Sequence, residues 1–147
     1  VQQSTELYQS ALFSNPSEII MLHFQNILSL TSPNLVAMSI ILLKRAFKSN
    51  GPDFLNALDI NVLKFISEVL PSLFQNENLD SFLFSLLVDT SSFIATVLIQ
   101  RRLMPDFIAQ LISIVKGMSP ILSPPALDCI VQCNNYIPLL NYQYNDD

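Results

Sequence analysis

FLFSLLVDTSSFIATVLI, residues 82–99, is the stretch on which the fold turns. As a helix it approaches the roughly 20 apolar residues that a bilayer core requires. Gln100 and then Arg101-Arg102 follow it, as a basic flank would. Against a membrane span stands Asp89 near its centre, with Thr90, Ser91 and Ser92 beside it. A central Asp costs about 3 kcal/mol on insertion scales. The stretch is therefore expected to lie buried in protein, not in lipid. DTSS also supplies a carboxylate and hydroxyls able to cap a new helix. Two helical segments, about 79–88 and 90–102, or one bent helix, are expected.

The other greasy run, LVAMSIILL at 35–43, is too short to span. It covers about 14 Å as a helix, roughly half a bilayer core. It ends in Lys44-Arg45 and Lys48, where cations complement a helix dipole.

The composition points the same way. The 147 residues suffice for one domain with its own core. Half are hydrophobic and 13% are charged, against a usual charged share of about 25%. Mostly buried helices satisfy that balance. The net charge of −5, with seven Lys and Arg scattered or paired and not gathered into a stripe, makes a nucleic-acid backbone a poor partner. Cys129 and Cys133 read as free thiols in a reducing compartment. The chain opens at Val1 with no basic, apolar leader, and reads as a fragment of something longer.

Prolines punctuate the chain where helices should start: Pro16 in SNPSEII, Pro33 in TSPNLV, Pro105 in LMPDFI, and Pro124-Pro125 in LSPPAL. Gly51 and Gly117 suit left-handed helix ends. Helices are expected at about 3–13 (Leu7, Ala11 and Leu12 inward), 16–30 (Ile19, Leu22, His23, Asn26, Ile27 and Leu30 in one band) and 33–48. A short helical turn at 53–58 follows. Asp59 then caps a helix to about Gln75, which Pro71 should kink. Further helices are expected at 104–116 and 123–136, before a frayed NYQYNDD tail. No segment alternates with the period of a strand. The helices group into pairs over about 1–30, 32–75 and 79–117, with a partial pair at 123–147. The middle spacings approach the 40–47 residues of HEAT repeats. The expected fold is all-α: a right-handed superhelical solenoid of antiparallel helix pairs, about three and a half of them, in a single domain. A plain helix bundle is the alternative.

Catalytic chemistry finds no foothold. Two glycines leave no phosphate-cradling loop. The sole histidine, His23, sits amid Met21, Leu22 and Phe24 with no activating partner in the pattern. Cys129 and Cys133 lack the second pair that a zinc site wants. The chain is expected to be no enzyme, and to take no metal and no cofactor. Its function must lie in surfaces.

STELYQSALFSNPSEIIMLHFQNILSLTSPNLVAMSIILLKRAF, residues 4–47, resembles the amino-terminal region of importin-β-family karyopherins. The likeness runs through Thr5-Glu6-Leu7, Asn15-Pro16, Phe24-Gln25-Asn26-Ile27-Leu28, Val36-Ala37-Met38 and Leu42-Leu43-Lys44-Arg45. Met104-Pro105-Asp106-Phe107 is similar to that family's Trp-Pro-Glu-Leu helix start, and Ala126-Leu127 to the Ala-Leu of the next repeat. The early stop at Tyr136-Ile137-Pro138 is most like the β3-type. Leu35 stands where the family has Arg, Met104 where it has Trp, and Pro124-Pro125 where it has a charged start.

The resemblance implies a HEAT-repeat fragment of a nuclear transport receptor, shuttling between cytoplasm and nucleus in protein import. Its partners would be the GTP form of the small GTPase Ran, Phe-Gly nucleoporins on outer-face grooves and, in the longer chain, protein cargo. Membrane and nucleic acid are not among them. Ran would meet the concave face, lined by the second helix of each pair. Helical register then nominates Glu18, His23, Asn26, Lys64, Glu68, Asp106 and Gln110. The alternative is a HEAT or armadillo scaffold or adaptor unrelated to transport.

Overall fold

The computed structural model describes residues 2–29 and 32–143, and these form seven α-helices with no strand among them. They are α1 (Gln2–Ser14), α2 (Pro16–Ser29), α3 (Pro33–Ala57), α4 (Ile60–Leu73), α5 (Ser81–Gln100), α6 (Phe107–Lys116) and α7 (Ser123–Gln143). The all-α expectation holds. The chain divides into two compact units, Val1–Val62 and Leu63–Asp147.

In the first unit, α2 meets α1 and packs along α3. Pro16 and Pro33 open their helices as expected, each filling the first helical position, where its missing N–H costs nothing. Asn15 joins α1 to α2 directly: its N–H donates to Ala11 O at 2.8 Å and its own carbonyl accepts from Ile19 at 3.1 Å. The buried face of α2 is Ile20, His23, Phe24 and Ile27, a single stripe at helical spacing. Leu22 falls outside that stripe and is exposed, as is Leu7 of α1, so both inward expectations are corrected. Leu12 is buried as expected. Leu30 lies outside the described residues.

Helix α3 does not stop at Asn50-Gly51; it runs to Ala57 and absorbs the separate turn expected at 53–58. Its core face explains the extension. Phe54 and Leu58 continue the buried row of Leu43 and Phe47. Phe54 also meets the Phe47 ring edge-on, with centroids 5.4 Å apart. Asp59 then caps α4, its Oδ1 accepting from Asn61 N at 2.8 Å. The Asp59 N–H donates to Ser17 Oγ at 2.9 Å, fastening this loop to the start of α2.

In the second unit, α4 stays helical through the buried Pro71 to Leu73. Ile66, Val69, Leu70 and Leu73 are buried, whereas Phe65 is half-buried. Of the two alternatives at DTSS, two segments or one helix, the single helix is found: α5 is continuous from Ser81 to Gln100. Its hydroxyls turn back onto their own helix instead of capping a new one. Ser92 Oγ donates to Val88 O at 2.6 Å, and Thr96 Oγ1 to Ser92 O at 2.7 Å. The N-cap lies earlier, at Asp80, whose Oδ1 accepts from Leu83 N at 2.8 Å. Every residue from Thr90 to Leu98 is buried. Helix α5 alone among the described residues is long and apolar enough to cross a membrane, and 72% of its apolar window is buried in the fold. It is covered by protein here, chiefly by α7, which also packs on α6.

Helix α5 ends at Gln100, two residues before the expected 102, and α6 ends at Lys116 as expected. Gly117 adopts right-handed geometry, and Met118 after it takes the left-handed conformation, φ 58°. Arg102, φ 62°, does the same after α5. There the Arg102 N–H donates to Ile99 O and the Leu103 N–H to Leu98 O, both at 2.9 Å, closing the helix end as glycine usually does. After α6, Ser123 Oγ supplies part of the closure, 3.3 Å from both Ile114 O and Val115 O. Helix α6 begins at Phe107, two residues past Pro105 and later than expected. Helix α7 begins at Ser123 as expected but continues through Pro138 to Gln143, so the early stop at that proline is corrected. Asn141–Gln143 of the expected frayed tail are thus helical; 144–147 lie outside the described residues.

Candidate functional site

The nominated concave-face positions fall on α2, on α4, and at the start and first turn of α6, as register requires. Glu18, Lys64, Glu68, Asp106 and Gln110 are exposed, and Asn26 is half-buried. Asp106 sits before the first turn of α6 without a side-chain capping bond. Its carbonyl accepts from Gln110 N at 2.9 Å. Gln110 borders a shallow depression with Gln75, Ser113 and Ser119.

His23 is different, and its place on an accessible surface is corrected. It is 5% exposed because the buried stripe of α2 passes through it. Its Nε2 lies 2.7 Å from the Tyr8 hydroxyl, the rings tilted at 5.8 Å between centroids. Its Nδ1 is buried with no partner. Burial lowers its pKa from the ordinary imidazole value and raises that of Tyr8. The consequence for stability has a definite sign. Unfolded His23 binds its proton first, near pH 6.5. The contribution of the neutral ring is complete above that pH and is lost as pH falls below it. The urea midpoint is expected to drop between pH 7 and pH 5, and His23→Gln to abolish that part of the drop. An unchanged acid slope in the variant counts against the assignment.

Two sites that the sequence did not signal appear in the second unit. One is a groove of about 560 Å³ between α5 and α7. Phe84 and Val88, one turn apart on α5, face Pro124 and Pro125 at the start of α7, with Ile121 beside them. Glu77 and Asp128 stand on its wall, with no basic side chain among the described residues that line it. The loop that forms one side is held by Ser119 Oγ, which accepts from Ile121 N at 3.3 Å and Leu122 N at 3.1 Å. In the sequence, SPPALD signalled only a helix start; the groove exists because two helices distant in the chain stand side by side.

The other site is a polar seam where α7 packs on α5. Ser92 Oγ lies 3.2 Å from Cys129 Sγ and 3.4 Å from Cys129 O, and Cys133 Sγ donates to Ser92 O at 3.7 Å. Both thiols are free and buried. The hydrogen bond between them, reinforced by burial, pushes the Cys129 thiol well above its ordinary value; the same bond holds Cys133 lower. A thiolate at Cys129 is thereby disfavoured. Among the described residues no three His, Cys, Asp or Glu side chains are grouped to hold a metal ion.

No protein-family model, curated protein or solved structure matches the chain.

Proposed function

We propose that this chain is a HEAT-type solenoid segment of a nuclear transport receptor, a non-catalytic binding surface that shuttles between cytoplasm and nucleus. The observation that carries the proposal is the groove between α5 and α7. In the pairing inferred from the sequence these are the first helices of consecutive pairs, the position at which the resemblance implies Phe-Gly capture. An apolar floor of Phe84, Val88 and Ile121 is suited to a phenylalanine ring. The packing of α7 on both α5 and α6 also supports a repeat reading, since a repeat helix packs against the helices of the neighbouring pair. Exposed Glu18, Lys64, Glu68, Asp106 and Gln110 remain the positions proposed for Ran-GTP.

A titration of Phe-Gly repeat peptide against the labelled chain, followed by NMR, tests the groove. Shifts are expected at Phe84, Ser85, Val88 and Ile121, and Ser85→Trp is expected to weaken binding about tenfold by filling the floor. Shifts elsewhere with none in the groove would remove this support. A pull-down with Ran loaded with GTP and with GDP tests the other face. Retention is expected with GTP alone; equal retention of both forms would overturn the Ran assignment.

A further inference from the structure

We infer that a second pocket, half open to solvent and bordered by residues of α5, α6 and α7, is a binding site for a neutral, apolar small molecule. Its volume is about 570 Å³, inside the range of small-molecule sites, about 300–1,000 Å³. Ile99, Ile108, Ile130 and Val131 form aliphatic walls. Two of its polar lining groups are already committed to the protein: Thr96 Oγ1 and Cys133 Sγ both donate to Ser92 O. Asn134, exposed to solvent, is placed to hydrogen-bond a hydroxyl or amide at the outer end of a ligand.

Charge decides the ligand class. Among the described residues that line the pocket, none is ionisable at neutral pH apart from the buried Cys133 thiol. A carboxylate or ammonium entering it would give up its hydration without an opposite charge to replace it. An alkyl alcohol or amide loses far less. The α5–α7 groove, with Glu77 and Asp128 on its wall, shares no lining residue with this cavity. The inference is therefore independent of the transport reading.

The probe is N-phenyl-1-naphthylamine, a neutral dye that brightens in apolar surroundings. Titration of the full chain is expected to give a saturable rise. 1-Decanol is expected to displace the dye at a concentration about tenfold or more below that of decanoate, the difference being carboxylate desolvation. Ile130→Trp, which fills the cavity, is expected to weaken dye binding about tenfold or more. Asn134→Trp, at an exposed position, serves the same purpose without disturbing the core. Ser85→Trp, in the other groove, is expected to leave binding unchanged. Absence of a saturable signal overturns the inference, as does equal competition by decanoate. Unweakened binding in both cavity variants, or its loss in Ser85→Trp, assigns the dye elsewhere and overturns it too.

Discussion

Phe107→Ala is expected to cost about 3–5 kcal/mol, the usual range for emptying a buried phenylalanine site. Phe107 is 1% exposed and starts α6, and its ring meets that of Phe74 edge-on at 6.1 Å. Phe74 is itself wholly buried. Truncation therefore leaves a void whose other wall is an aromatic ring that has lost its partner. Phe107→Leu should recover more than half of the loss, since it restores most of the apolar volume. Urea titration of both variants checks this. A loss under about 1 kcal/mol for Phe107→Ala would mean that α6 is not anchored at this point.

Ser91→Ala and Ser92→Ala are expected to move stability in opposite directions. The two residues are adjacent, and both are 0% exposed. Ser91 Oγ is buried without a hydrogen-bond partner. Removing it relieves a desolvation cost and should stabilise the fold by about 1–3 kcal/mol. Ser92 Oγ bonds to Val88 O and lies against Cys129. Its loss should destabilise by about 1 kcal/mol, with more if Cys129 is left unsatisfied. Thermal melts of the two variants side by side check the prediction; shifts of the same sign would contradict it. The result would also say whether DTSS is tuned for stability, since Ser91 is the member of the run that the fold leaves unrewarded.

The helices were legible in the sequence because proline, Asp and Ser mark their starts and apolar residues recur at helical spacing. Pro16, Pro33 and Asp59 stand where the reading placed them. The ends were less legible, because termination depends on what the next turn can bury. Gly51 was outweighed by Phe54 and Leu58, which extend the buried row of α3. DTSS did not end a helix, and the Ser92 hydroxyl bonds the Val88 carbonyl one turn back. Gly117 was expected to be left-handed, yet the chain places Met118 there. Of the nominated surface positions, His23 alone proved buried. Its neighbours Leu22 and Phe24 are both apolar, and their order does not say which side of α2 turns inward. The groove and the cavity were not legible at all. Both are gaps between helices, and a gap depends on interaxial distance, not on residue order.

The seam of Ser92, Cys129 and Cys133 bears on how the second unit reaches a single arrangement. Apolar surface alone specifies helix register weakly, since a slide buries nearly as much of it. A slide of one turn, about 5.4 Å, would carry Cys129 away from Ser92 and strand polar atoms in an apolar setting. The seam thus works as a locating peg, separating the right docking from near misses that would bury almost as much grease. Replacing all three residues with Ala and Val could leave the unit folded yet able to settle in more than one alignment.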